Sequence, residues 1–466
     1  MQGGLARAAS RLAGGFPTAP LQWLCLAAAG PVLFVVPWWQ PVYGVCLLVA
    51  QQVLRCLDPA ERRRALDLDV TWPTLGLIGM ALVGLSISPS YERSLPQFVG
   101  LAFNVGVFTA VVSTMRGGWT KQSPTQSGRV VLGTYAGLGV LVAFAAFANG
   151  MARSSDLILV TALRDARPDL PPLLTYLLHV LVRPNMHPNL VAGTLTLFLP
   201  LFVALLLYRP WRGGEGGGGS RGWLVATGLG LVFLGLVFLV TLSRGGFISV
   251  GASLFLLVIW RMRRAPRALT ALGIGVLALV GVPLVGALLG AWPNPLVVVE
   301  RAYETTRVDA AAGTFATRLE GWPHVVRLVA EHPWTGLGLN QTARYLRPIN
   351  PYLFHAHNLF LQVALDLGLP GLLFLLALLA IAALRLARAL RAPADVWRET
   401  LAVGLAAGLV GHLVWNMADT VVQGYNPSVY LWVALGLAAG LPTSGLASRA
   451  ALERPDREDV ALPLRS

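Results

Sequence analysis

Long apolar runs separated by short polar joints dominate the chain. Runs of spanning or near-spanning length lie at about 21–39, 40–57, 71–88, 97–114, 130–150, 188–208, 223–242, 246–260, 268–292, 359–384, 399–418 and 427–445. None shows the period-two alternation of a barrel strand. A helix is the one unclosed element that satisfies its own backbone in lipid. The pattern therefore predicts an all-α, polytopic integral membrane protein with about twelve transmembrane helices. Glycine and alanine recur inside the runs, where small side chains let neighbouring helices approach closely.

Composition agrees. Of 466 residues, 55% are hydrophobic and 12% charged, against roughly 25% charged in globular domains, and the mean hydropathy is +0.64. A cytosolic enzyme, a disordered chain and a secreted disulfide scaffold are excluded. Cys25, Cys46 and Cys56 lie in or beside the first two runs without metal-like spacing, and read as small apolar side chains. The start, through Arg7 and Arg11, leads into a full-length apolar run and shows no cleavable-signal pattern.

The net charge of +14 would suggest nucleic acid in a soluble protein. Here its distribution argues for orientation, and no nucleic-acid partner is expected. Arginine clusters (Arg62 to Arg64; Arg116 with Lys121; Arg209, Arg212 and Arg221; Arg261, Arg263, Arg264 and Arg267; Arg385, Arg388, Arg391 and Arg398) mark alternate loops. By the positive-inside rule these loops and both termini are cytoplasmic. The chain reads as a single membrane domain, 1–466. A first outer loop is expected at 152–187, a long helical outer loop at 293–358 and a cytoplasmic tail at 446–466. The glycine-rich 213–220 stretch reads as a flexible cytoplasmic linker.

The two outer loops break the charge pattern. Arg153, Arg164, Arg167 and Arg183 fall in the first, and Arg301, Arg307, Arg318, Arg327, Arg344 and Arg347 in the second. They either pair with acids of the same loop (Glu300, Glu304, Asp309, Glu320, Glu331) or meet an anionic ligand, whose phosphate oxygens suit arginine's planar fork. Four motifs stand out. Ser243-Arg244-Gly245-Gly246 places an arginine between two runs, followed by glycines that permit a tight turn and close approach to a ligand; the alternative is a snorkelling span end. Thr317-Arg318-Leu319-Glu320-Gly321-Trp322 opens a loop helix. There Arg318 either binds phosphate or pairs with a glutamate, and Trp322 either stacks on a sugar or anchors at the interface. Gly336-Leu337-Gly338-Leu339-Asn340 shapes a loop.

The fourth motif is the most informative. His355-Ala-His357-Asn358, with Gln362 beyond it, sits where the long loop re-enters the membrane. A histidine there can serve as general base toward a hydroxyl, or can be a plain interfacial side chain. No cysteine cluster or carboxylate set accompanies His355-x-His357, so no metal site is expected. His412, Asn416 and Asp419, near the outer end of another span, read as helix-to-helix supports.

Taken in order, these motifs (Ser-Arg-Gly-Gly, Thr-Arg-Leu-Glu-x-Trp, Gly-x-Gly-x-Asn, and His-Asn-x-x-Leu-Gln before Gly-Leu-x-Gly) resemble the O-antigen ligase and polymerase superfamily, the WaaL-like, Wzy-C-type proteins. The resemblance covers roughly 185–420. It implies a GT-C-type glycosyltransferase of the bacterial inner membrane, working on the periplasmic side without a metal ion or cofactor. The donor implied is a glycan on undecaprenyl pyrophosphate, and the acceptor a hydroxyl of lipid A–core or a similar glycolipid. A repeat-unit polymerase and a protein O-oligosaccharyltransferase share the motifs. A transporter or flippase of polyprenyl-linked glycans is the alternative of another class. By the resemblance His357, the histidine followed by asparagine, is the catalytic base, and Arg244 and Arg318 are the catalytic arginines. Arg183, Arg93, Ser243, Gly245, Asn358, Trp322 and Glu320 are the expected substrate-binding residues.

Overall fold

The computed structural model describes residues 21–26, 41–57, 68–121, 124–153, 188–213, 219–241, 243–262, 315–351, 353–391, 393, 395–420 and 428–441. Most of the first outer loop with Arg183, the run 268–292, the start of the long outer loop and the tail 446–466 lie outside them. Among the described residues the elements are helices, with no strand: α1 (Pro41–Leu57), α2 (Leu68–Ser86), α3 (Tyr91–Lys121), α4 (Pro124–Arg153), α5 (Pro188–Leu195), α6 (Leu199–Tyr208), α7 (Gly219–Val240), α8 (Arg244–Met262), α9 (Phe315–Glu331), α10 (Thr342–Leu346), α11 (Leu359–Arg391), α12 (Val396–Asn416) and α13 (Ser428–Gly440).

Seven described segments are long and apolar enough to cross a membrane: Asp69–Ser86, Tyr91–Arg116, Gly128–Phe147, Asn189–Tyr208, Arg221–Val240, Arg244–Met262 and Leu359–Arg391. The chain is thus a multi-pass helical membrane protein, although twelve spans are not reached among the described residues. α12 carries Glu399, His412 and Asn416 and is too polar for that set, yet it is the hub. It packs against α8, α6 and α11, and most of its residues are buried. α7, α8 and α4 instead turn apolar side chains outward, among them Val232, Leu236, Ile248 and Phe144. In a bilayer such a face meets lipid tails at no cost.

Two runs that read as unbroken are kinked. The run 188–208 is split into α5 and α6 by Pro200, which has no N–H for the turn before it. α11 is broken at Gly368, whose φ is 71°, two residues before Pro370. A Cβ at Gly368 would stand 2.5 Å from the Trp334 carbonyl oxygen, so only glycine fits. The interrupted ladder is repaired from outside α11. The Leu369 N–H donates to the Pro333 carbonyl (2.7 Å), and the Leu337 N–H to the Leu365 carbonyl (2.7 Å).

The kink thereby docks the 332–340 turn. Gly336 (φ 68°), Gly338 (φ 90°) and Asn340 (φ 57°) carry this turn through left-handed backbone, which two glycines and an asparagine reach at low cost. Ser94 in α3 locks it by donating to the Leu339 carbonyl (2.6 Å).

Charged side chains gather at the two ends of the helices. At one end Asp69 of α2 pairs with Arg116 of α3 (3.4 Å) and with Arg385 of α11. Arg129 lies over Trp397 and Arg261 over Tyr208, each 5.2 Å from the ring centre. The opposite end of the helices carries Arg93, Arg244 and the 315–358 segment.

Candidate active site

Four separate segments meet at that second end. Ser243 precedes α8 and caps it: its hydroxyl accepts from the Gly246 N–H (3.2 Å). Arg244 becomes the first helical residue, exposed at a helix N-terminus. That is a poor place for a cation unless an anion joins it.

The glycines behave otherwise than the sequence suggested. Neither Gly245 nor Gly246 has a positive φ, because both lie in the first turn of α8. A Cβ on Gly246 would come 2.8 Å from that of Ala192, so this glycine serves helix packing. Beside Gly245 the Trp415 ring would be an ordinary 3.6 Å neighbour. No tight turn is involved.

α9 brings Arg318 inward. The guanidinium reaches Asp419, just past the end of α12, with Nη2 3.8 Å from Oδ2 and side chains only 13% and 10% exposed. Among the described residues, the in-loop pairing does not occur at this arginine. Glu320 is exposed and accepts instead from Asn350 (3.0 Å), while Arg327 pairs with Glu331 (2.9 Å). Burial first, and then the nearby charge of Arg244, disfavour the protonated form of Arg318, while Asp419 favours it.

The histidine loop completes the group. His357 has φ 49°, an uncommon state for a residue with a Cβ, costing on the order of 1–3 kcal/mol. Its surroundings hold it there. The Trp322 indole N–H donates to the Ala356 carbonyl (3.0 Å), and the Ala356 N–H donates to Gln362 Oε1 (2.8 Å). Gln362 Nε2 in turn donates to Thr342 and to Asp366.

Asn358 caps α11, accepting from the Phe360 and Leu361 N–H groups (3.0 Å each), and donates to the Met417 carbonyl (3.0 Å). These bonds let Trp322 and Asn358 brace the loop, and Asn358 ties it to the end of α12.

His357 Nδ1 stands 3.8 Å from Asp419 Oδ1, within reach of a charge but beyond a direct hydrogen bond. The His355 ring lies edge-on to that of His357, centres 3.9 Å apart. Burial, and then the neighbouring charge of His357, push His355 down to about 4, so it is neutral at physiological pH. Burial would raise the Asp419 carboxyl, but interaction with His357, His355 and Arg318 outweighs it and keeps the group below its ordinary value. Asp419 is thus an anion, facing Arg318 through one oxygen and His357 through the other.

Sequence reading ranked Asp419 with His412 and Asn416, and the structure separates them. His412 is buried with Nδ1 2.7 Å from the Gly193 carbonyl, and Asn416 donates to the His412 carbonyl (2.8 Å). These two serve helix packing, while Asp419 serves the site. Among the described residues, Arg93, in the first turn of α3, makes no ion pair with this cluster.

The same geometry supplies the carboxylate that seemed missing for a metal. Ligand atoms of His355, His357 and Asp419 lie within 4.8 Å of one another. However, the Asp419 charge is already engaged by Arg318, and the nearby Arg244 adds a second positive charge that opposes a dication.

A family model described as Wzy_C, O-antigen ligase, matches residues 229–376. This stretch is similar to the O-antigen ligase family. It includes Arg244, Arg318, Trp322, His357 and Asn358, whereas Asp419 and Arg93 lie outside it. The chain is also similar to the O-antigen ligase of Pseudomonas aeruginosa, 31% identical over 182 residues, which are 39% of this chain and 40% of that protein. The match thus spans two fifths of the length of that ligase.

Proposed function

We propose that the protein is a membrane glycosyltransferase of O-antigen ligase kind and GT-C type. It moves a glycan from undecaprenyl pyrophosphate to a hydroxyl of lipid A–core or a similar glycolipid, at the outer face of the bacterial inner membrane. One observation carries this reading: Arg318, His357 and Asp419, from three distant segments, converge within 4 Å contacts at the end of the bundle, with the Arg244 charge beside them.

The chemistry follows. The acceptor oxygen attacks the anomeric carbon while the bond from that carbon to the pyrophosphate oxygen breaks. With Nδ1 turned toward Asp419, His357 receives the acceptor proton on Nε2. Asp419 is the countercharge to the imidazolium that forms. Arg318 and Arg244 neutralise the negative charge gathering on the leaving pyrophosphate, with no proton transferred. Ser243 helps by capping the helix that begins at Arg244, and Arg183 remains an expected phosphate ligand. No metal is needed, because pyrophosphate is already a good leaving group.

The test uses purified protein in vesicles, with lipid-linked glycan, a glycolipid acceptor and EDTA. The expected result is acceptor-linked glycan and free undecaprenyl pyrophosphate. Donor crossing the bilayer without product would identify a flippase. Activity lost in EDTA and restored by a divalent ion would make His355, His357 and Asp419 a metal centre.

In this reading the 293–358 loop faces outward and the Arg116–Asp69–Arg385 end faces the cytoplasm. Cysteines at His332 and at Arg391, each placed in a cysteine-free background, should label from opposite sides of the membrane. Labelling from one side would overturn the orientation.

A further inference from the structure

A second group of arginines lies apart from the reacting cluster. An open cleft of about 490 Å³ is lined by Arg93, Arg344 and Arg347, together with Ser90 and Gln341. It is built from the start of α3 and from α10 with the turn after it. No carboxylate lines it, and among the described residues none of the three guanidinium groups is in an ion pair.

The walls are firm. Gln341 is fully buried and donates to the Ser90 carbonyl (3.3 Å) and the Ser94 hydroxyl (3.0 Å). Asn340 donates to the Arg93 carbonyl (3.4 Å). Arg347 lies over the Phe354 ring, 4.2 Å from its centre, which holds a planar cation in place.

We propose that this cleft binds a phosphate group of the glycolipid acceptor, and so sets the acceptor hydroxyl against His357. Three arginines line one cleft that no carboxylate enters, and an oxyanion there accepts charge-assisted hydrogen bonds from their guanidinium groups. Two placements select the acceptor. Arg93 is in the first turn of a spanning helix, so the cleft opens where α3 leaves the membrane, at the depth of a lipid-borne head group. Next to Gln341, Thr342 accepts from Gln362 Nε2, and Gln362 Oε1 accepts from the Ala356 N–H, between the two histidines. The cleft and the base thus share one rigid support, while the donor's pyrophosphate belongs to Arg244 and Arg318.

This inference rests on the proposed transferase reading, and its test separates the two. The double variant Arg344→Gln/Arg347→Gln alters exposed side chains and is compared with the unaltered protein. Binding of a phosphorylated lipid A–core glycolipid and of the same molecule after phosphatase treatment is measured in detergent, without donor. KM for each is then measured by transfer. The double variant should weaken binding of the phosphorylated form, and raise its KM, by roughly tenfold or more. The dephosphorylated form and lipid-linked donor should bind as before.

If binding shows this pattern but no transfer occurs with either protein, the cleft stands and the transferase reading falls. Equal affinity for both glycolipid forms in the unaltered protein would overturn the cleft. So would a loss in the variant that is the same for both forms. Competition by phosphatidylglycerol vesicles or inorganic phosphate as effective as the glycolipid would mean a general head-group or phosphate site, and would also overturn it.

Discussion

Replacing His357 with alanine is expected to lower glycan transfer by about 10²–10⁴-fold, the usual worth of general-base assistance, while donor binding and membrane level stay unchanged. The expectation comes from geometry. The ring is braced through the backbone of Ala356 by Trp322 and Gln362, and it faces Asp419 at 3.8 Å. Nothing in that arrangement is needed to hold a pyrophosphate, so the loss should fall on turnover at saturating donor.

His355→Ala should do much less. Burial keeps His355 neutral with a value near 4, and a base that weak takes little of a hydroxyl's proton near pH 7. The check is turnover with saturating donor, beside donor binding, for both variants. Normal turnover in His357→Ala with loss in His355→Ala would assign the base to the other histidine, and normal turnover in both would end the mechanism.

Arg318→Ala should cost about 10²–10³-fold in turnover, the range found when one preorganised donor to a developing oxyanion is removed. It should also weaken donor binding, which His357→Ala should not. The side chain is only 13% exposed, so its charge acts through a dry environment. Its loss also leaves the Asp419 carboxylate with one fewer countercharge. Arg318→Lys keeps a positive charge but lacks the two-pronged fork that fits phosphate oxygens, and should recover only part of the activity. Donor affinity and turnover, measured on protein at matched membrane levels, check this. Full activity in both the Ala and Lys variants would reduce Arg318 to an anchor for Asp419.

The spans were legible because lipid imposes a crude rule: each crossing needs a long apolar run, visible one residue at a time. The break between α7 and α8, at Ser243, was visible on the same grounds. The motif residues Arg244, Arg318 and His357 could be named because each sits in a distinctive local string.

What escaped were relations between distant segments. Asp419 lies 62 positions from His357, by subtraction of their numbers, and nothing nearby marks it as different from Asn416 or His412. Only the packing of α12 separates them. Trp322 and Asn358 hold backbone at 356, 360, 361 and 417 through hydrogen bonds that no local string announces. Gly246 was credited to a turn, whereas its need for a bare Cα comes from Ala192 on another helix. The Gly368 kink had a local signal in Pro370 two residues on, but that signal does not reveal that the 332–340 turn would dock there.

The central claim is direct displacement by a hydroxyl whose proton goes to His357, with the pyrophosphate leaving between Arg244 and Arg318. The most direct measurement is the anomeric configuration of the new glycosidic linkage, read by NMR on the product of the purified protein, beside that of the donor. A single displacement at one face of the sugar predicts inversion. A retained configuration would contradict the account, because it requires a second displacement and a covalent or rebound intermediate for which this mechanism has no residue.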